Sequence, residues 1–228
     1  MWVKGGDGSD KGSDVGIMAF MSYEHSALNV RELSLDLFKG ENLTEEFLCD
    51  INKYGQIPVL DVKKGTPIQD SLEITHFIAE RYPNLIPEGH QEEITALPKE
   101  LHDVNYFSLS FAKFGGAHVA AGLAAAVEKI LQDPGISDRY RSALEIKREV
   151  VKNPKATGME PEIIKETEHR AKVLDRLADI LPQDSHGAGE GPWMLGLQEP
   201  FALDAHRIVF VERMHDVGRT TMASPRKP

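Results

Sequence analysis

The chain has 228 residues, 41% of them hydrophobic and 27% charged, which is enough to bury one or two ordinary cores. A formal charge of −10 with no run of Lys and Arg argues against nucleic acid as a partner, because phosphate binding is driven by clustered cations. No stretch approaches a membrane span, and a single cysteine, Cys49, excludes an intrachain disulfide framework.

In chain order, the N-terminal stretch is polar and rich in Gly and Asp, with no apolar signal-peptide core. A cytoplasmic location is therefore the default expectation. Ile17, Phe20 and Met21 have the spacing of one helical face. Cys49 sits among Phe47, Leu48 and Ile51 and reads as a buried, inert thiol. Gly55 then punctuates the chain. Ile57, Val59, Leu60 and Val62 form a short apolar run, Lys63-Lys64-Gly65 supply a turn, and Pro67-Ile68-Gln69 begin a second strand, which predicts a β-hairpin. Pro58 cannot donate to a ladder, so it belongs on an edge or where the backbone must stay unpaired. Asp70-Ser71 opens a helix with Ile74, Phe77, Ile78 and Arg81 at helical spacing, and Glu73 stands three residues after Asp70 as in a capping box.

Two prolines and a glycine between Pro83 and Gly89 interrupt both periods. They predict a first domain over 1–83, a linker over 84–91 and a second domain over 92–228. The second domain reads as all-helical, with helices over about 92–112, 117–132, 137–152, 161–181 and 201–215. Pro98 is expected to kink or delay the first of these. Phe107 and Phe111, an i,i+4 pair within the aromatic run Tyr106 to Phe114, read either as core or as the wall of a hydrophobic pocket. The nine histidines show no HxH or HExxH spacing, so no metal is expected. GEGPWMLG and VKGGDG match neither phosphate-binding fingerprint and read as loops, and there is no GxSxG nucleophile elbow.

Gly55-Gln56-Ile57-Pro58-Val59-Leu60, followed after a hairpin by Asp70-Ser71 at a helix start, resembles the glutathione-binding half of the glutathione S-transferases. The resemblance implies an α/β thioredoxin-like N-terminal domain, an all-α helical-bundle C-terminal domain and a homodimer. It also implies a cis Ile57-Pro58 bond, with the Ile57 backbone left to pair with the cysteinyl unit of glutathione. Gln56 would touch the glycyl end, and Asp70 and Ser71 would hold the γ-glutamyl end. The chemistry is coherent, since free N–H groups and a hydroxyl at a helix N-terminus suit a carboxylate. On the residues alone, Asp70 also reads as a helix cap and Pro58 as an edge-strand proline.

Laid on the family, the N-terminus becomes a short strand at Trp2-Val3, a loop, a helix from about Asp14 to His25 and a strand from Asn29 to Leu35. The resemblance places thiol activation on that loop, where Ser9 falls nearest and Ser13 second. A free thiol has a pKa of roughly 8.5, and a hydroxyl donating to the thiolate favours ionisation near neutral pH. Both serines also read as polar loop or cap residues. The family's first bundle helices line the pocket for a small hydrophobic electrophile, for which Phe107 and Phe111 are the candidates. Phe201-Ala202-Leu203-Asp204 is similar to the family's helix-start signature, with Asp204 in place and Phe201 where Ser or Thr stands. Phe201 is expected to act as an apolar staple. The resemblance runs from about 28 to 218; the basic tail RTTMASPRKP follows where relatives continue into further helices.

The implied reaction is attack of bound glutathione thiolate on the electrophile. Phe38-Lys39-Gly40-Glu41-Asn42 and the form of the second domain resemble fungal members serving secondary metabolism. An alternative in that setting is a glutathione-dependent cis–trans olefin isomerase acting on a polyketide-like metabolite by thiolate addition, rotation and elimination. A third reading is a non-catalytic glutathione-binding or regulatory protein.

Overall fold

The computed structural model of the chain describes residues 2–5, 32–37, 39–62, 65–112, 116–153, 158–179 and 191–219. Four strands form one mixed sheet in the order β2-β1-β3-β4. β1 (Trp2–Gly5) runs parallel to β2 (Glu32–Leu35) and antiparallel to β3 (Val59–Leu60), which pairs antiparallel with β4 (Ile68–Gln69). β1 is longer than the expected Trp2-Val3 pair, and β2 coincides with the described part of the expected Asn29–Leu35 strand, whose first three residues lie outside the described residues. In β2 half-buried Leu33, exposed Ser34 and buried Leu35 alternate, which is what one covered sheet face requires. The predicted hairpin is present, with Val59 opposite Gln69 and Leu60 opposite Ile68.

The described helices are α1 (Ser71–Ala79), α2 (Gln91–His102), α3 (Tyr106–Phe111), α4 (Gly116–Leu131), α5 (Asp138–Lys152), α6 (Pro161–Arg170), α7 (Val173–Asp179) and α8 (Ala202–Asp216). α4, α5 and α8 lie within a residue of the expected limits at each end. The expected helix over 92–112 is two helices, because Asn105 interrupts it and caps α3, its side chain accepting from the Ser108 amide at 3.0 Å. Pro98 does not delay α2, which starts at Gln91 and carries Pro98 as a buried residue. The expected helix over 161–181 also divides. Lys172, Leu174 and Asp175 donate to carbonyls three residues back, the tighter bonding that ends one helix and starts the next.

The chain divides into two compact units. The first holds the described residues within Met1–Asp10, Val30–Asp70 and Asn105–Thr167, and the second those within Ser71–Val104 and Glu168–Pro228. In the first, Leu43, Leu48, Val127, Ala143 and Leu144 form one apolar cluster, and Leu35, Phe47 and Val59 form another. α5 contributes one stripe, Ala143, Leu144, Lys147 and Val151, and its start is capped by Ser137 accepting from the Tyr140 amide. In the second, α2 packs against α7 and α8, burying Leu101, Leu177, Leu203 and Met214. A mostly helical chain with this small sheet is compatible with a glutathione-transferase-like fold. Among the described residues no helix is long and apolar enough to cross a membrane.

Candidate functional site

The turn before the hairpin is fixed from several sides within the first unit. Asn52 donates from Nδ2 to the Gln56 carbonyl at 2.7 Å and accepts the Tyr54 amide at 2.9 Å. The Gly55 carbonyl accepts from Asn42 Nδ2 at 2.8 Å and from Lys147 Nζ at 3.1 Å, while the same amine donates to the Tyr54 carbonyl at 2.9 Å. Gly55 has φ +60, and a Cβ there would lie 3.0 Å from Lys147 Nζ and 3.1 Å from Leu48 Cδ2. The backbone angle favours glycine, and any Cβ there would press on the Lys147 amine and on Leu48. Burial pulls the Lys147 amine down to about 8, so it still carries its proton at neutral pH.

This turn delivers Gln56, Ile57 and Pro58. The Ile57-Pro58 bond is cis. The ladder pairs Val59 with Gln69, so Pro58 and Asp70 are the residues that flank its open end, just before β3 and just after β4. Asp70 is exposed and has φ 72, a left-handed backbone that costs a side chain about 1–3 kcal/mol and is found disproportionately at ligand sites. Ser71, the first residue of α1, is only 5% exposed.

Ser71 belongs to a polar chain inside the second unit that crosses three helices. Ser71 Oγ lies 3.4 Å from His102 Nε2, which lies 3.2 Å from His206 Nδ1, whose own Nε2 lies 2.9 Å from Thr75 Oγ1. Thr75 Oγ1 donates to the Ser71 carbonyl at 2.9 Å, so the chain returns to the residue where it began. The two rings meet edge to face at 75° with centroids 5.1 Å apart. His206 is 4% exposed, and burial first, then the neighbouring His102 and His76, pull its imidazole down to about 3. Thr75 and His206 also line a cavity of about 240 Å³ together with His76, Ile94, Pro98 and Lys99.

In the sequence His102 and His206 stand out only as two of nine histidines. The available signal was position. His206 stands among Ala202, Leu203, Ala205 and Phe210, a polar residue in a run that buries nearly all its neighbours. Lys147 gave a similar signal within the apolar stripe of α5.

The remaining candidates are dispersed. Ser9 and Ser13 lie outside the described residues. Phe107 and Phe111 come together, half-buried, with ring centroids 4.8 Å apart and planes at 49°. Cys49 is half-buried with Sγ 3.7 Å from the Arg139 carbonyl, and burial raises its thiol, which keeps it protonated. Asp204 accepts from the Phe201 amide at 3.2 Å and the Met194 amide at 3.0 Å, and Phe201 is fully covered. These contacts hold the start of α8 in place of a hydroxyl cap.

A mixed sheet, a cis proline and a helix opening on an acidic residue and a serine are compatible with a glutathione-transferase-like fold. Two curated glutathione transferases are similar to parts of the chain. The chain is 44% identical over 61 residues to Glutathione S-transferase 1 of Dianthus caryophyllus, covering 26% of this chain and 27% of that protein. It is 29% identical over 84 residues to a glutathione S-transferase of Arabidopsis thaliana, covering 36% of this chain and 38% of that one. The chain thus spans between a quarter and two fifths of the length of these relatives, which support a place among glutathione transferases. No family model matches, and no solved structure matches significantly.

Proposed function

We propose that the chain is a glutathione transferase that adds glutathione thiolate to a small hydrophobic electrophile. The observation that carries this reading is the hairpin flanked at its open end by the cis Ile57-Pro58 bond on one strand and by left-handed Asp70, immediately before buried Ser71, on the other. In this reading Ile57 offers its backbone to the cysteinyl unit, Gln56 meets the glycyl end, Asp70 answers the γ-glutamyl ammonium and Ser71 its carboxylate. Ser9, with Ser13 second, donates to the thiolate, and Phe107 and Phe111 form a wall for the electrophile. The two domains follow each other as 1–83 and 92–228, and the protein is a cytoplasmic homodimer. The Phe38 to Asn42 motif supports a role in fungal secondary metabolism.

The protein incubated with glutathione at neutral pH is expected to give the ultraviolet difference absorbance of a bound thiolate. With an activated enone or aryl halide it should consume one glutathione per electrophile. Bound glutathione with neither thiolate nor consumption would overturn the enzymatic reading and favour a binding protein.

A further inference from the structure

In the turn before Pro58, buried side chains hold the carbonyls and leave two amides unbonded. The Gly55 carbonyl accepts from Lys147 Nζ at 3.1 Å and from Asn42 Nδ2 at 2.8 Å, and the Gln56 carbonyl accepts from Asn52 Nδ2 at 2.7 Å. All three donors are more than nine-tenths buried. In a trans peptide the C=O and the N–H point in opposite directions, and the cis bond comes only after Ile57. Holding the Gly55 carbonyl inward therefore turns the Gln56 N–H outward, and holding the Gln56 carbonyl inward turns the Ile57 N–H outward. Exposure agrees, since Asn52 and Gly55 are buried, Gln56 is exposed and Ile57 is half-buried. The Gly55 amide donates to the Asn52 carbonyl at 2.8 Å, whereas the Gln56 and Ile57 amides make no hydrogen bond among the described residues.

Lys147 adds what the two asparagines cannot. Its ammonium makes no ion pair among the described residues; Asp50 is taken by Arg139 and Glu128 by Arg148. It donates instead to the Tyr54 and Gly55 carbonyls. A cation on a carbonyl polarises the whole peptide unit, so the N–H at its other end becomes a stronger donor toward an anion.

We infer that Lys147, reaching from α5, is a positioning residue that aims the Gln56 and Ile57 amides outward as a pair of hydrogen-bond donors to an anionic peptide ligand. The inference rests on the glutathione reading above and deepens it. The Ile57 amide meets the cysteinyl unit, and the Gln56 amide, not its side chain alone, meets the glycyl carboxylate. Lys147 touches the turn and acts through it.

Two measurements test it on the full chain. Amide hydrogen exchange without ligand is expected to show Gly55 protected and Gln56 and Ile57 exchanging at close to the rate of an unstructured peptide. Saturating glutathione should slow both of these by about tenfold or more. Protection of either amide without ligand, or glutathione binding that protects neither, would overturn the inference on the wild type alone, whether or not a variant folds. Calorimetric titration with glutathione then compares wild type, Lys147→Met and Asp204→Ala, the last a destabilised variant away from the turn. Lys147→Met is expected to weaken binding about tenfold and, with an electrophile present, to raise the glutathione KM in step while the electrophile KM moves by less than about twofold. Asp204→Ala should bind within about twofold of wild type. Equal losses in the two variants, or a Lys147→Met variant that binds like wild type, would assign Lys147 to stability alone, overturning the inference and leaving the glutathione reading standing. No binding by the wild type would overturn both.

Discussion

Lys147 and His206 are buried titratable groups held by hydrogen bonds rather than by opposite charges, and each carries a pH signature. For Lys147 the folded value of about 8 lies below the ordinary 10.5, so between them the unfolded chain holds a proton that the native chain has shed. Stability from this group therefore rises as pH climbs from 8 to 10.5 and is lost as pH falls through 8. Comparing denaturant midpoints at pH 7.5 and 10, wild type should gain up to about 3 kcal/mol relative to Lys147→Met. An unchanged difference would show that the amine is not buried as described. For His206 the folded value of about 3 lies below 6.5, so the native state refuses a proton that the unfolded chain accepts. Stability is complete above pH 6.5 and falls toward pH 3 by about 1.4 kcal/mol per unit. The groups facing the ring do not rescue its charge. His102 and His76 both oppose it, and exposed Glu73 and Lys99, on the same cavity, have opposite signs. Urea unfolding at pH 7 and pH 5 is expected to show about 2 kcal/mol less acid loss in His206→Gln than in wild type.

Among the elements, α8 depends on how it starts. Phe201 lacks the cap hydroxyl, and Asp204 replaces it by accepting two backbone amides. Asp204→Ala leaves both amides without that acceptor and should cost about 1–3 kcal/mol in thermal unfolding, whereas Asp204→Asn keeps one oxygen and should lose less. α3 raises a functional question, because its Phe107–Phe111 pair is half-buried rather than sealed in a core. If that pair walls the electrophile, Phe107→Ala should raise the electrophile KM roughly tenfold with glutathione affinity unchanged. An unchanged KM assigns the rings to packing alone.

The elements also show what the sequence could carry. The hairpin and α1 were legible because every signal for them is local: Gly55 and Pro58 as punctuation, an apolar run, and a helix start at Asp70-Ser71. α4 and α5 were legible because Pro134-Gly135 and Asn153-Pro154 bound them and Ser137 caps the second. The break at Asn105 was hidden inside an aromatic run whose periodicity carries across it, although an asparagine three residues before Ser108 is a capping signal. The network behind Ser71 could not be read. Thr75 and His206 stand 131 residues apart, and only the tertiary fold brings them to 2.9 Å. The same holds for Lys147 and Gly55, 92 residues apart.

At the scale of the whole molecule, net charge sharpens the account. A chain at −10 repels an anionic tripeptide at long range, so affinity for glutathione must come from local donors. A helix N-terminus and the Ser71 hydroxyl would be such donors, with an effect confined to the ligand they touch. The measurement that tests this most directly is calorimetric titration of wild type and Ser71→Ala with glutathione at physiological salt. The account predicts saturable binding by wild type and a loss of about 1.5–3 kcal/mol on removing the serine hydroxyl. Equal binding by the two proteins, or none by wild type, would contradict it.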